Sequence, residues 1–469
     1  MKLDKNLALT ALILFIEGLV SLSYQMLYIR QISPIVGSSV DVISWIIGIF
    51  LIALAIGYKK GGEFKGNHNN KIIFNIFLAA VIASAGLSYV FVDLYFDNFG
   101  ILVGYYSAMI IYCLIIVAPA TYLLGQTLPL MTNRRIGESV SEISGNILFL
   151  STIGSFLGAI LTTNIFLKYF GVSITLFIVS FLLISVYFLF PKNKENNFIV
   201  IINTIILLVI CTTNIFYEKK EFVKTNQYAN YKVEQFTFKG REEIAKAFRS
   251  NNSYSSVLLK ESAKNIDFKT MGYIKEITDF LFSKKSLKNQ NVLVIGAGGF
   301  VLSYGILNNN FTFVDIDPQI QKIAEDNFLK KEINGKFISM DGRAYINVNK
   351  IKYDVIVSDA YSSSKSIPEN LTSIQYFAKL KESLKDNGWA VINVIQSNDF
   401  HDEYSRNIKS TIEQIFPYCV TNVSDSVNEF TNVIYYCNNR KELKTIYSDN
   451  LNNSNSDYYK NNKNKRDDI

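Results

Sequence analysis

The stretch Asn291-Val-Leu-Val-Ile-Gly-Ala-Gly-Gly-Phe300 decides the fold of the C-terminal half of the chain. It begins with the pattern of a short buried strand, and its glycines allow a ligand to approach the backbone closely. A helix-like run over 300–307 and a second strand, Phe311-Thr-Phe-Val-Asp315, follow. Asp315 comes 19 residues after Gly296, near the roughly 20 expected for an acid that binds ribose hydroxyls. This order predicts an α/β domain with a parallel sheet that holds a nucleoside.

Two further predicted strands also end in acidic residues. Strands over 336–339 and 353–358 lead to Asp341 and Asp359, and helices are predicted over 319–329 and 371–386, the latter before a strand at 389–395. Ligands bind beyond the carboxyl ends of parallel strands. One acid at such an end is as often a helix cap as a ligand contact, but three at successive strands predict a shared site.

The N-terminal half differs from the C-terminal half in composition, because it consists mostly of long apolar runs. The chain has 469 residues, of which 49% are hydrophobic and 19% charged, against roughly 25% charged in an average soluble protein. Runs near or above the roughly 20 apolar residues that cross a bilayer lie at 7–29, 40–58, 72–92, 101–123, 144–168, 172–190 and 197–216. We therefore predict a membrane domain over 1–217 with about seven helices, an α/β domain over 218–445 and a disordered polar tail over 446–469.

Charge and cysteine content restrict function and location. A net charge of +7 does not require a nucleic-acid partner, and two histidines and four cysteines argue against most zinc sites. Loops on one side of the predicted helices carry ten basic residues and loops on the other side carry two. The positive-inside rule then places the α/β domain outside the cytoplasm, whereas the supply of a nucleotide-like cofactor favours the inside. Cys419 and Cys437 flank a predicted hairpin and are expected to be buried free thiols, with a disulfide as the alternative.

Residues 291–395 resemble the spermidine synthase family, which are aminopropyltransferases with a Rossmann-like class I AdoMet-dependent methyltransferase fold. The matching segments are Val292-Leu-Val-Ile-Gly-Ala-Gly298, Val314-Asp-Ile-Asp-Pro318, Met340-Asp-Gly342, Tyr353-Asp-Val-Ile-Val-Ser-Asp359 and Ile367-Pro-Glu-Asn-Leu-Thr-Ser373. Segments 17–30 and 124–129 are similar to the membrane part of multi-pass proteins that carry a spermidine-synthase-like domain.

The resemblance implies a set of roles. Asp359 would be the catalytic acid or base and Tyr273 a residue of the substrate pocket, while the nucleoside of the donor would contact Gly296, Gly298, Asp315, Asp341 and Gly342. The donor would be decarboxylated S-adenosylmethionine or S-adenosylmethionine, used without a metal. The acceptor would be a small amine or a lipid, and a homodimer is possible because family members often dimerise.

Departures from the family pattern keep other functions open. Gly299 stands where the family's glycine motif carries an aspartate, Ser362 where a second acceptor-binding aspartate is common, and Ser255 near a glutamine position. Two missing carboxylates weaken the attraction for a dication such as putrescine. The alternatives are methyl transfer to a lipid, envelope or small amine substrate, and a membrane transporter with a nucleoside-binding domain. For either, Glu17 in the first apolar run is a candidate for a substrate path in the membrane.

Overall fold

The structure is a computed structural model that describes residues 5–37, 39–133, 140–191, 194–237, 243–251, 253–261, 269–270, 272–361, 367–424 and 430–439. The predicted tail over 446–469 and Ser362 lie outside the described residues.

The N-terminal half is a bundle of apolar helices. Within the described residues, six helical segments are long and apolar enough to cross a membrane: Leu9–Val36, Val40–Glu63, His68–Leu87, Tyr105–Thr132, Gly145–Leu189 and Asn197–Glu221. The individual helices are α1 (Lys5–Val36), α2 (Val40–Glu63), α3 (His68–Leu87), α4 (Tyr89–Tyr95), α5 (Tyr105–Thr132), α6 (Val140–Leu161), α7 (Leu167–Ser185) and α8 (Lys194–Glu221).

The segment Gly145–Leu189 turns back on itself at Gly171. Its 45 residues would span about 68 Å as one straight helix, more than twice the hydrocarbon core of a bilayer. Gly171 interrupts it with φ +79° and ψ −173°. Beyond this point the chain runs antiparallel to α8, because the Ser173 hydroxyl donates to the Asn214 carbonyl (3.2 Å) while Tyr187 donates to Asn197 (2.8 Å). The segment therefore contains two of the seven predicted runs.

Glycines allow α1 and α6 to pack closely along their length. A Cβ on Gly154 would lie 2.2 Å from the Phe15 carbonyl oxygen, and one on Gly158 would lie 2.1 Å from the Leu19 carbonyl oxygen. Both contacts advance along the chain in the same direction, so α1 and α6 are parallel. Small residues at such contacts stabilise apolar helix pairs because the backbones come within van der Waals distance.

The C-terminal half contains two sheets. The first is antiparallel, in the order β1 (Lys224–Thr225), β2 (Asn230–Thr237), β3 (Glu243–Ser250), β4 (Ser253–Glu261) and β5 (Lys269–Thr270). The second has the order β11-β12-β10-β9-β6-β7-β8, with β6 (Asn291–Ile295), β7 (Asn310–Asp315), β8 (Lys336–Ser339), β9 (Tyr353–Ser358), β10 (Leu384–Ser397), β11 (Cys419–Val423) and β12 (Phe430–Asn438). Strands β6 to β10 are parallel, whereas β12 is antiparallel to β10. The predicted parallel sheet is thus mixed.

Helices cover this second sheet, and their extents differ in part from the predictions. They are α9 (Tyr273–Thr278), α10 (Ile320–Ile323, continued to Leu329), α11 (Gly342–Val348), α12 (Ile374–Glu382) and α13 (Glu403–Ile415). The predicted helix over 300–307 is wrong, since only Val301–Ser303 forms a 3₁₀ turn. Phe300 (φ +60°) and Gly305 (φ +77°) have left-handed backbone conformations that a helix cannot contain.

Cys419 and Cys437 form a disulfide, so the expectation of two free thiols is wrong. The residues are directly opposite each other in the antiparallel pair β11–β12, and their Cα atoms are 4.1 Å apart. Sequence separation placed them on one hairpin, but only the strand register brings the two sulfurs together. The free cysteines among the described residues, Cys113 and Cys211, are buried in the helical bundle.

Candidate active site

The predicted acidic residues converge on one cavity. It has a volume of about 580 Å³ and lies at the carboxyl ends of β6, β7 and β9. Asp315, Asp341 and Asp359 all line it, together with the glycine turn after β6 and the ends of several N-terminal helices. The position is the one that parallel α/β sheets use for ligands.

Asp359 lies at the centre of a hydrogen-bonded cluster. The Tyr273 hydroxyl donates to Oδ2 (2.9 Å), and the Asn393 side-chain amide donates to Oδ1 (2.8 Å). Burial raises the pKa of Asp359 to about 7, while the hydrogen bonds from Asn393 and Tyr273 act in the opposite direction. A carboxyl group with a pKa near neutrality is suited to exchange a proton with a reacting group.

Tyr273 is a hydrogen-bond donor in this cluster. Burial, and secondarily the charge of Asp359, raise the pKa of the phenol well above its usual value, so it stays protonated. Its oxygen also lies 3.3 Å from the Ser255 carbonyl. Tyr273 is among the residues that the resemblance implies, whereas Asn393 was missed because it lies inside β10. Pairing of β10 with β9 brings it beside Asp359.

The glycine turn is held tightly against its neighbours. Gly296 has φ +91°, and a Cβ there would lie 2.3 Å from the Asp359 carbonyl oxygen. Gly298 has φ +51°, and its Cβ would lie 3.3 Å from the Ser255 carbonyl oxygen. The Gly299 N–H donates to the Ser256 hydroxyl (2.9 Å). Side chains at the first two positions would displace the backbone that carries Asp359 or reduce the cavity.

Backbone groups orient the Asp315 carboxylate. It accepts hydrogen bonds from the N–H groups of Ala297 and Asp317, each at 3.0 Å. Burial raises its pKa to about 6, against the effect of these bonds. Its half-buried position beside the glycine turn fits a contact with ribose hydroxyls, because carboxylate oxygens remain as acceptors at the cavity wall.

Asp341 is both a helix cap and part of the cavity wall. Its side chain accepts from the Ala344 N–H (2.8 Å) at the start of α11. Gly342 follows, where a Cβ would lie 2.5 Å from the Ile295 side chain. The cap interpretation therefore holds for one of the three acids, and that acid still borders the cavity.

Comparison with known proteins agrees with this geometry. Residues 271–446 match the spermine/spermidine synthase domain. Residues 271–446 are thus similar to a spermine/spermidine synthase domain, and we refer to the C-terminal half, from β1 onward, as the synthase domain. A polyamine aminopropyltransferase of Oceanobacillus iheyensis is 21% identical over 442 residues, which cover 87% of this chain and 83% of that protein. A probable polyamine aminopropyl transferase of Bifidobacterium longum is 31% identical over 107 residues, 23% of this chain and 24% of that protein. The chain is therefore a transferase of the aminopropyltransferase type.

Solved structures similar to part of this chain include a probable spermidine synthase from Corynebacterium glutamicum. It is 16% identical, has a TM-score of 0.37 and covers 47% of this chain and 80% of its own.

A buried arginine connects the helical bundle to the synthase domain. Arg30, near the end of α1, donates from Nε to the Asn226 carbonyl (2.6 Å) and from Nη2 to Asn230 Oδ1 (2.7 Å). The Asn226 side-chain amide donates to Asp317 Oδ2 (2.6 Å), and the Asp317 N–H in turn binds Asp315. This chain of contacts fixes the turn that carries Asp315. It depends on the docking of the two halves, for which the sequence carried no local signal.

Glu17 lies elsewhere in the bundle. It is 4% exposed, and the Ser151 hydroxyl lies 3.5 Å from its carboxylate. Among the described residues that line the cavity, Glu17 does not occur. The structure thus brings the predicted residues of the synthase domain together but does not bring Glu17 to them, and a role of Glu17 in a substrate path stays a prediction.

Proposed function

We propose that the chain is a membrane-embedded aminopropyltransferase that uses decarboxylated S-adenosylmethionine as donor and an amine as acceptor. The arrangement that supports this function most directly is Asp359, held by Tyr273 and Asn393, in one cavity with Asp315 and the glycine turn. The glycine turn allows the nucleoside to approach, and Asp315 offers acceptors for its ribose.

The proposed chemistry assigns Asp359 the role of proton acceptor. A protonated amine has no lone pair, so it must lose a proton before it attacks. After Asp359 takes this proton, the amine nitrogen forms a bond to the propyl carbon attached to the sulfonium. The carbon–sulfur bond breaks, its electron pair goes to sulfur, and neutral methylthioadenosine leaves. Tyr273 and Asn393 each hold one oxygen of the carboxylate, which fixes its direction during the transfer.

A second candidate is methyl transfer from S-adenosylmethionine. The observation that favours it is Gly299, which offers no carboxylate to the charged end of an aminopropyl group and whose N–H binds Ser256. Calorimetric titration of the detergent-solubilised full chain with each donor tests the choice. Tighter binding of the decarboxylated donor, with methylthioadenosine as product, supports aminopropyl transfer. Tighter binding of S-adenosylmethionine, with S-adenosylhomocysteine as product, favours the second candidate, and binding of neither contradicts both.

We also propose that the bundle spans a membrane and that the synthase domain faces the non-cytoplasmic side. The turn at Gly171 supports seven crossings, so the synthase domain lies opposite the N-terminus. Arg30 and Lys168, the two basic residues of the predicted loops between helices on its side, contact it through Asn226 and Gln319. The opposite loops carry Lys2, Lys5, Lys59, Lys60, Lys65, Lys71, Arg134, Arg135, Lys192 and Lys194, which favours the cytoplasm for that side.

The disulfide supports the same orientation, because such bonds persist in oxidising compartments. A test is labelling of an exposed cysteine introduced at Asp326 in intact cells with a membrane-impermeant maleimide. Labelling without permeabilisation is expected, whereas labelling only after permeabilisation would reverse the orientation. A cysteine introduced at Lys60, on the opposite side, is the matched control.

A further inference from the structure

The cavity that contains Asp359 does not end within the synthase domain. It continues to the ends of α1, α2 and the segment before Gly171, where Met26, Ile29, Pro34, Ile43 and Leu167 form part of its wall. Five aliphatic or thioether side chains from the bundle thus share one space with the reactive carboxylate. The proposed binding of the nucleoside explains the polar part of the cavity near Asp315. It assigns no ligand to the apolar part beside the bundle.

The charges in the cavity favour an acceptor with a single amine. Among the described residues, four carboxylates line it: Asp315, Asp317, Asp341 and Asp359. Asp317 is 1% exposed and accepts hydrogen bonds from Asn226 and Tyr231. Asp315 and Asp341 lie at the proposed nucleoside contacts, so Asp359 remains as the carboxylate for an amine. Among the described lining residues no further carboxylate is left to pair with the second charge of a diamine, and burial of a charge without a counter-charge costs free energy.

With the bundle in a membrane, as proposed above, the exposed aromatic residues beside the apolar wall place this wall at the level of the membrane surface. Trp45, two residues after Ile43, is 46% exposed, and Tyr169, two residues after Leu167, is 60% exposed. Exposed Trp and Tyr are typical of the interface between lipid headgroups and hydrocarbon. A molecule anchored in the bilayer by a tail therefore has its headgroup at the height of the cavity.

We propose that the acceptor is a primary amine carried on a hydrocarbon tail, an aminolipid or long-chain amine that reaches Asp359 from the membrane. This inference rests on the proposed aminopropyl transfer and names its acceptor class. The amine nitrogen bonds to the propyl carbon, the carbon–sulfur bond breaks toward sulfur, and the product is the N-aminopropyl amine plus methylthioadenosine. The tail contacts Ile29, Ile43 and Leu167.

The first test compares acceptors with the full chain in detergent and the decarboxylated donor, by release of methylthioadenosine. Burial of each methylene changes an equilibrium by about fourfold. We expect kcat/KM to rise at least twofold per methylene from propylamine to octylamine and to exceed that for putrescine. Turnover of putrescine with no dependence on alkyl length would overturn the inference and leave the proposed function intact. Turnover of no amine at all would contradict the proposed function itself.

The source of the amine is tested with the chain in phosphatidylcholine vesicles, with and without phosphatidylethanolamine. Mass spectrometry of an aminopropylated phosphatidylethanolamine identifies a bilayer lipid as acceptor. Modification of added octylamine alone identifies a free long-chain amine, and modification of neither overturns the inference.

A pair of variants on one helix links the effect to the cavity wall. Ile43→Gln places a polar amide in the wall, whereas Ile52→Gln changes a residue that is 61% exposed on the same helix outside it. We expect Ile43→Gln to lower the ratio of octylamine to putrescine kcat/KM at least fivefold, and Ile52→Gln to leave that ratio unchanged. Equal ratios in the two variants would contradict the contact.

Binding without turnover gives an independent readout. In the absence of donor, bound octylamine should protect the thiol of an Ile29→Cys variant from an alkylating reagent, whereas putrescine should not. A cysteine at Leu51, which is 54% exposed and outside the cavity wall, is the control. Equal protection at both positions would show a general effect of the amphiphile and count against the site.

Discussion

Replacing Asp359 by Asn should make the protein more stable and less active at the same time. The carboxylate is ordinarily half-ionised at pH 3.8, but burial raises its pKa to about 7 in the folded protein. Above pH 7 the folded state therefore contains a charge that is better solvated in the unfolded state. The gap between the two values corresponds to about 4 kcal/mol, as an upper bound, because Asp359 is half-buried and borders the cavity.

The sign of the pH dependence follows from proton binding. Between about pH 4 and pH 7 the folded protein holds a proton on Asp359 that the unfolded chain has lost, so stability falls as the pH rises through this range. The Asp359→Asn substitution would remove this loss. The oxygen of the new amide can keep the bond from Asn393, and its nitrogen can donate to Tyr273, whose hydroxyl has the Ser255 carbonyl 3.3 Å away as a new acceptor. The Asn393 amide and the Tyr273 hydroxyl, which donate to the carboxylate, therefore each keep an acceptor after the exchange.

Two measurements on the detergent-solubilised chain test this reasoning. The unfolding temperature of Asp359→Asn should exceed that of the native protein at pH 8 and match it near pH 4. Turnover should fall about a hundredfold to ten-thousandfold, the usual contribution of a general base, while donor binding remains. Asp326→Asn, at an exposed residue that does not line the cavity, should change neither. A lower unfolding temperature at pH 8, or undiminished turnover, would refute the assignment.

Other residues allow further tests. Tyr273→Phe removes a hydrogen bond that lowers the pKa of Asp359, so the rise of kcat/KM with pH should move to higher pH; an unshifted profile would contradict the contact. Arg30→Met should raise the KM for the donor about tenfold by releasing the turn that carries Asp315, with Lys168→Met as control. Gly296→Ala should abolish donor binding, since its Cβ would overlap the Asp359 carbonyl. Cys419→Ser opens a disulfide across a separation of 18 residues and should cost about 3 kcal/mol of stability, seen as a lower unfolding temperature; an unchanged temperature would argue against the bond.

The acids of the site were predictable because their positions depend on local pattern. A buried strand followed by an acid places that acid at one edge of a parallel sheet, so the predicted strands placed Asp315, Asp341 and Asp359 at that edge. Asn393 has no such pattern, since it lies within β10 and reaches Asp359 only through strand order. The disulfide of Cys419 was misjudged for a similar reason, because a hairpin prediction fixes neighbourhood but not register.

In the fold as well, features with a local sequence pattern were predicted and features that depend on long-range contacts were not. Apolar runs of about 20 residues are a strong signal, and the described helices follow them, with Gly171 separating two runs that form one continuous segment. The helix predicted after the glycine turn is wrong because Phe300 has a left-handed backbone conformation. Residue composition gives no sign of this conformation. Contacts between the bundle and the synthase domain could not be predicted from local sequence patterns, because they form only when the two halves dock.

The docking of the two halves indicates that the bundle contributes to the candidate active site. If the bundle served only as an anchor, its contacts with the synthase domain would lie away from the reacting groups. Instead α1 supplies Arg30, whose hydrogen bonds lead through Asn226 and Asp317 to the carboxylate of Asp315. The same helix end supplies Ile29 to the cavity wall. Removing the bundle would therefore withdraw a support of the proposed nucleoside contact and, together with it, one side of the proposed acceptor space. A truncated synthase domain should bind donor more weakly than the full chain and lose any preference for amines with long tails.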